Sequence, residues 1–110
     1  MWSDKLYYAT INIATSGDNT IIAAPGAGKR IAIDHVNMLS TAVNVIQLKD
    51  GSTAYGGAYP IPAYGGFVFE NPQRNHDGVI TLSANAAFVV NMTVSTQVSG
   101  FVRYRILDNS

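Results

Sequence analysis

Phe88-Val89-Val90-Asn91-Met92-Thr93-Val94-Ser95 decides the fold class. Phe88, Val90, Met92 and Val94 alternate with Val89, Asn91, Thr93 and Ser95. Successive side chains of a strand point to opposite faces, so this period of two makes one apolar face and one mostly polar face. The pattern continues outward. Upstream, Ile80, Leu82 and Ala84 alternate with Thr81 and Ser83; downstream, Val102, Tyr104 and Ile106 alternate with Arg103 and Arg105. Antiparallel sheets with one solvated face read this way. No window sustains a 3.6-residue period, so no helix is predicted.

Turn signals cut the chain at short intervals: Ser16-Gly17-Asp18-Asn19, Pro25-Gly26-Ala27-Gly28, Asp50-Gly51-Ser52 and Asn75-His76-Asp77-Gly78. Gly and Asn supply positive φ there, and Pro presets its own φ. Eight segments remain: 6–13, 19–24, 29–39, 43–49, 53–56, 66–71, 78–84 and 87–107. The last must fold back, with Ser99-Gly100 as the expected corner. The expectation is an all-β chain with residues 1–110 forming a single antiparallel β-sandwich, jelly-roll-like, with eight or nine short strands. Two segments change parity. Ile31 and Ile33 give way to Val36 and Met38, and Val43 and Val45 to Ile46 and Leu48, which predicts a β-bulge in each.

Composition narrows the function. Of the 110 residues 47% are hydrophobic and only 13% charged, seven basic against seven acidic, and there is no cysteine. The usual charged share is about 25%. Surface hidden from water would explain the deficit. Without clustered Lys and Arg, nucleic acid is not an expected partner. Without Cys, disulfides and thiolate metal sites are excluded. Met1-Trp2-Ser3-Asp4-Lys5 lacks a basic start and an apolar run, so no secretory leader is expected. The stretch 78–102 carries no charge, but polar residues recur every second or third position, so no membrane span is expected.

Catalytic and cofactor signals are weak. Ala24-Pro25-Gly26-Ala27-Gly28-Lys29-Arg30 suggests a phosphate loop, but Ala23 stands where a glycine is needed and Arg30 where Ser or Thr would hold magnesium. A hairpin turn is the better reading. The two histidines, His35 and His76, have no ligand partner at a metal-site spacing, and nothing singles out Glu70 as a third ligand. No Gly-x-Ser-x-Gly elbow or spaced carboxylate pair occurs. The expectation is a protein with no catalytic residues, no metal and no cofactor.

Binding candidates are clearer. Ala54-Tyr55-Gly56-Gly57 recurs as Ala63-Tyr64-Gly65-Gly66, with Ala58-Tyr59-Pro60-Ile61-Pro62 between the two copies, and the stretch reads as a loop. Its tyrosines Tyr55, Tyr59 and Tyr64 suit a protein interface, a glycan, or simple cover for the chain's own core. Asn91, Thr93, Ser95 and Gln97 form a neutral polar stripe that a neighbouring subunit could cover at lower desolvation cost than ions. Arg103 and Arg105 stand in a row on an outward face, to pair with acids of a partner or to face water. Residues 1–8, with Trp2, Tyr7 and Tyr8, read as a potential N-terminal arm; the plainer alternative is that 6–13 forms an edge strand.

Five stretches carry a family resemblance: Asn19-Thr20-Ile21-Ile22-Ala23-Ala24-Pro25, Gly28-Lys29-Arg30-Ile31, Val45-Ile46-Gln47-Leu48-Lys49-Asp50-Gly51, Gly65-Gly66-Phe67-Val68, and Val98-Ser99-Gly100-Phe101-Val102-Arg103-Tyr104. In this order they resemble small all-β virion proteins of tailed bacteriophages that decorate or cement a capsid. The resemblance implies a jelly roll that is made in the host cytoplasm and ends on the virion's outer capsid surface. It also implies that the major capsid protein is a partner and that the chain assembles with itself, as a trimer in preference to a dimer. It carries over no catalytic residue. The alternative is a phage fibre or lectin-like module that recognises host glycan through the Tyr/Gly-rich loop.

Overall fold

A computed structural model of the chain describes residues 5–71 and 78–108. Its regular structure is entirely β: β1 (Tyr7–Ile13), β2 (Gly17–Ile22), β3 (Lys29–Ser40), β4 (Asn44–Asp50), β5 (Thr53–Ala54), β6 (Tyr59–Ile61), β7 (Gly65–Glu70), β8 (Ile80–Thr81), β9 (Phe88–Met92) and β10 (Val98–Asp108). The pairing is that of one long hairpin wound on itself. β1 pairs with β10, β2 with β9, β3 with β7 and β8, and β4 with β5 and β6, all antiparallel. Winding then brings β10 against β3 and β9 against β4. The results are two sheets, ordered β1-β10-β3-β7 and β2-β9-β4-β5, with β8 also on β3 and β6 also on β4. This is the jelly-roll order expected from the strand spacing. Ten strands occupy eight positions, because two positions are each filled by two short pieces.

Even residues of β4 and β9 (Ile46, Leu48, Phe88, Val90 and Met92) meet Ile31, Ile33, Val36, Met38 and Val102 across the sandwich, all at most 3% exposed. Burying each such side chain contributes about 1.5–3 kcal/mol. The Gly26–Lys29 segment is a turn closed by the Lys29 N–H donating to the Gly26 carbonyl at 3.2 Å, and β3 follows it. The glycine-rich stretch is therefore a turn, as expected, but not a hairpin, because β2 and β3 do not pair with each other and lie in different sheets.

The bulge expected in β3 is present. Arg103 faces His35 and Tyr104 faces Ile33, so Asp34 is the extra residue. It re-phases the strand, letting Ile31 and Ile33 as well as Val36 and Met38 point inward. It also splits the neighbouring position. β7 pairs as far as His35, and β8 resumes at Ile33.

The bulge expected in β4 is absent. Val43 and Val45 stay outside, and Asn44 takes the inward position beside Ile46 and Leu48. Its Oδ1 accepts from the N–H groups of Thr93 (3.2 Å) and Val94 (3.1 Å), and its Nδ2 donates to the Val94 carbonyl at 3.2 Å. A buried amide thus ties down the turn that follows β9. Replacing Asn44 with Leu strands those backbone groups. We expect a loss of roughly 1–3 kcal/mol, the cost of leaving buried polar groups unpaired, read as a lower urea midpoint.

That turn spans 93–97 and replaces the corner expected at Ser99-Gly100. Gly100 instead lies inside β10, opposite Ile11 on one side and Met38 on the other. The Tyr/Gly stretch is also more ordered than a loop. β5 and β6 both pair with β4, and Pro60 is tolerated because β6 is an edge strand.

Candidate binding face

Alternation and register place three rows on the outer face of the β1-β10-β3-β7 sheet. They are Asn12–Ser99–Leu39–Gly66, Thr10–Phe101–Asn37–Val68 and Tyr8–Arg103–His35–Glu70. Four large side chains on adjacent rows are exposed: Tyr8 (64%), Val68 (62%), Leu39 (48%) and Phe101 (40%). Scattered single apolar residues need no explanation, but a contiguous exposed group marks an interaction surface.

The ions of this face pair within the chain, although the buried Nε of Arg105 has no hydrogen-bond partner among the described residues. Asp34, pushed out of the ladder by the bulge, is 4% exposed. Its Oδ1 accepts from Asn71 Nδ2 (3.0 Å) and Arg105 Nη1 (3.1 Å), and its Oδ2 from Arg103 Nε (2.9 Å). Burial alone raises the Asp34 carboxyl. The hydrogen bonds from Asn71 and Arg103 and the charges of Arg105 and Arg103 outweigh it and hold the group below the usual carboxylate range. Arg103 Nη2 also reaches Glu70 Oε2 at 3.2 Å.

His35 completes the row. The Phe101 N–H can only donate, so Asn37 turns its Oδ1 toward it (3.3 Å). Asn37 Nδ2 then donates to His35 Nε2 (2.9 Å), and His35 Nδ1 lies 3.0 Å from Glu70 Oε2. The imidazole stacks on Phe101, with centroids 5.0 Å apart and planes at 21°. Asp34, Glu70, Arg103 and Arg105 therefore each have a charged partner from their own chain.

This corrects the reading of Arg103 and Arg105, which neither await a partner's acids nor simply face water. The polar stripe is corrected too. β9 ends at Met92, so Asn91 through Gln97 do not share one strand face. Asn91 Nδ2 donates to Asp18 Oδ1 at 2.7 Å, and the Thr93 N–H and hydroxyl serve Asn44. The Asn91 bond, followed by the Lys49 ammonium, lowers the Asp18 carboxyl.

Tyr7 and Tyr8 belong to β1. Tyr7 stacks on Tyr104 at 5.5 Å and Tyr8 packs toward Phe101 at 6.4 Å, so the edge-strand alternative holds for both. Trp2 and His76 lie outside the described residues. Tyr59 packs on Phe67 (5.0 Å) and Phe69 (5.8 Å), whereas Tyr64 is 76% exposed at φ 60°. Tyr55 and Tyr59 share a cleft of about 200 Å³ with Leu48, Phe69, Val79 and Ile80, where the two sheets part. Tyr64 is not among its lining residues.

Sequence reading passed over Leu39, Val68 and Phe101. Their signal is phase. Leu39 is out of step with Val36 and Met38, and Phe101 with Val98 and Val102. Among the described residues, no group of three or more His, Asp or Glu is placed to hold a metal ion. None of their helices is long and apolar enough to cross a membrane. No protein-family model matches the chain, and no curated protein matches it either.

Proposed function

We propose that this chain is a structural bacteriophage protein that docks on the outer surface of a capsid as a decoration or cement protein. The observation that carries the reading is the outer face of the β1-β10-β3-β7 sheet. It offers Tyr8, Phe101, Leu39 and Val68 to a partner, while its ions are already paired. Covering it strands no charge, and a polyanion gains little there. A protein surface is the partner that fits. Binding to an assembled shell and not to free subunits stabilises the shell by mass action.

Size sets the strength of one contact. Four strands at about 4.8 Å and five residues at about 3.3 Å span roughly 300 Å². A standard interface covers about 800 Å² per partner. One copy on one site therefore binds weakly, and useful occupancy requires linked copies that raise the effective concentration. This supports a homo-oligomer on a repeating lattice.

The test is co-sedimentation with heads of the parent phage. The wild type is expected to pellet saturably. The double variant Phe101→Glu, Val68→Lys should bind at least roughly 10-fold more weakly, as loss of central apolar anchors does, with its stability near that of the wild type. Equal binding by the two proteins, or none by the wild type, overturns the reading. Selective binding on a glycan array would instead favour a lectin-like module. An arm deletion should remove only residues 2–5, because Tyr7 and Tyr8 are part of β1.

A further inference from the structure

An edge strand offers unpaired N–H and C=O groups to other chains unless charge, proline, a bulge or shortness blunts it. Three of the four sheet edges are blunted in these ways. β2 carries Asp18 and a register shift between Thr20 and Ile22. β5 and β6 are two and three residues long, and β6 holds Pro60. β7 ends on Glu70, and β8, which continues its position, has only two residues. β1 has none of these devices. Tyr7–Ile13 runs for seven residues without a charge, a proline or a register shift, and among the described residues it pairs only with β10.

The direction of its backbone groups follows from β10. The Phe101 N–H turns toward β3, donating to Asn37 Oδ1 at 3.3 Å, and the Gln97 carbonyl accepts from the Thr41 N–H at 3.1 Å. Odd residues of this part of β10 therefore bond toward β3 and even residues toward β1, because bonding direction alternates along an antiparallel strand. Val98, Gly100 and Val102 face Ile13, Ile11 and Ala9. That commits the odd residues of β1 to β10. The N–H and C=O groups of Tyr8, Thr10 and Asn12 point away from it, to the free edge.

We propose that β1 pairs antiparallel with β1 of a second copy, about a two-fold axis through Thr10. The strand is its own complement. Its three outward residues are symmetric about Thr10, which is also the midpoint of Tyr7–Ile13. Thr10 exchanges two hydrogen bonds with Thr10 of the second copy, and Tyr8 of each copy exchanges two with Asn12 of the other, six in all. No like charges meet. Thr10 opposite Thr10 and Tyr7 opposite Ile13 are favourable cross-strand pairs, and Tyr7 is 37% exposed, so it has surface to cover.

Opposed residues in a ladder point to the same face, so the axis stands perpendicular to the sheet. Both outer faces then look the same way across one continuous eight-position sheet, with the two β1 strands at its centre. Two apolar faces of roughly 300 Å² become one of roughly 600 Å², close to the about 800 Å² of a standard interface. That use of the pair rests on the shell-docking reading, whereas the pairing itself does not.

A dilution series read by sedimentation equilibrium is expected to run from twice the chain mass down to the chain mass. Hydrogen exchange should show the amides of Tyr8, Thr10 and Asn12 protected only at the concentrated end, and those of Ala9 and Ile11 protected throughout. Thr10→Pro removes two of the six bonds at once and should weaken self-association roughly 10-fold or more, without costing a bond to β10. Thr10→Lys and Thr10→Glu keep the backbone donor and each set like charges opposite one another at the axis. Each alone should pair more weakly than the wild type, and their equimolar mixture should recover a mixed pair. The chain mass at every concentration, a trimeric mass, exchange at Thr10 that concentration does not change, or a Thr10→Lys variant that pairs as the wild type does would each overturn the proposal. Shell co-sedimentation separates the two readings. Wild-type pairing without pelleting faults only the docking, and pelleting without pairing faults only the joint.

Discussion

Replacing Asp34 with alanine is expected to lower the unfolding free energy by roughly 3–5 kcal/mol, the cost of removing one partner from a buried ion group. Asp34 is 4% exposed and anchors both Arg103 and Arg105. The Arg105 side chain is 11% exposed, so its charge cannot turn to water without opening the sheet. Asp34→Asn keeps the shape and one acceptor oxygen and should cost less. The pH dependence has a definite sign. The folded Asp34 carboxyl titrates below its unfolded value of about 3.9. Its contribution is therefore complete above that value and is lost as pH falls through the lower folded one. Denaturant midpoints across the acid range should show the wild type losing stability in that window. Asp34→Ala, already weak, should lack that part of the slope. Equal midpoints at neutral pH would show that the two arginines do not depend on Asp34.

Parity made the bulge at Asp34 legible, because a change of phase is local information that one strand carries alone. The partners of Asp34 were not legible. Arg103 and Arg105 stand 69 and 71 residues away, and only the winding of β10 against β3 brings them in. The same division explains β4. Its parity change resembled that of β3, but Val43 and Val45 stay outside and an amide fills the inward site. Local alternation cannot tell an extra residue from a buried Asn44, because the difference lies in what the 93–97 turn needs from it. The docking face was half legible. Leu39 and Phe101 announce themselves by standing out of phase, but that they share a face with Val68 depends on register. Tyr55 and Tyr59 were singled out for composition, and the cleft they line forms only where β6 and β8 close the ends of different sheets.

Gly100 shows why a glycine cannot be read as a turn from sequence alone, and its replacement is the second large effect. It sits in β10 between β1 and β3, without the positive φ of Gly17, Gly26 or Gly28. The constraint is space. A Cβ at this position would lie 1.9 Å from the Asn37 carbonyl oxygen and 2.8 Å from Asn37 Oδ1. The first of these atoms is backbone and cannot swing away, so β10 and β3 must move apart where Phe101 meets Asn37. Gly100→Ala is expected to cost about 3 kcal/mol, the upper part of the overpacking range. The separation should also break the Phe101–Asn37–His35 chain of hydrogen bonds, so amide exchange in β3 and β10 should quicken and docking should weaken together. Gly57→Ala is the matched control. Nothing lies within 4 Å of its added Cβ and its φ is not positive, so its stability should stay within about 0.5 kcal/mol of the wild type, as for other surface substitutions. If Gly100→Ala unfolds at the wild-type midpoint, the close approach of β10 to β3 is not what the glycine serves.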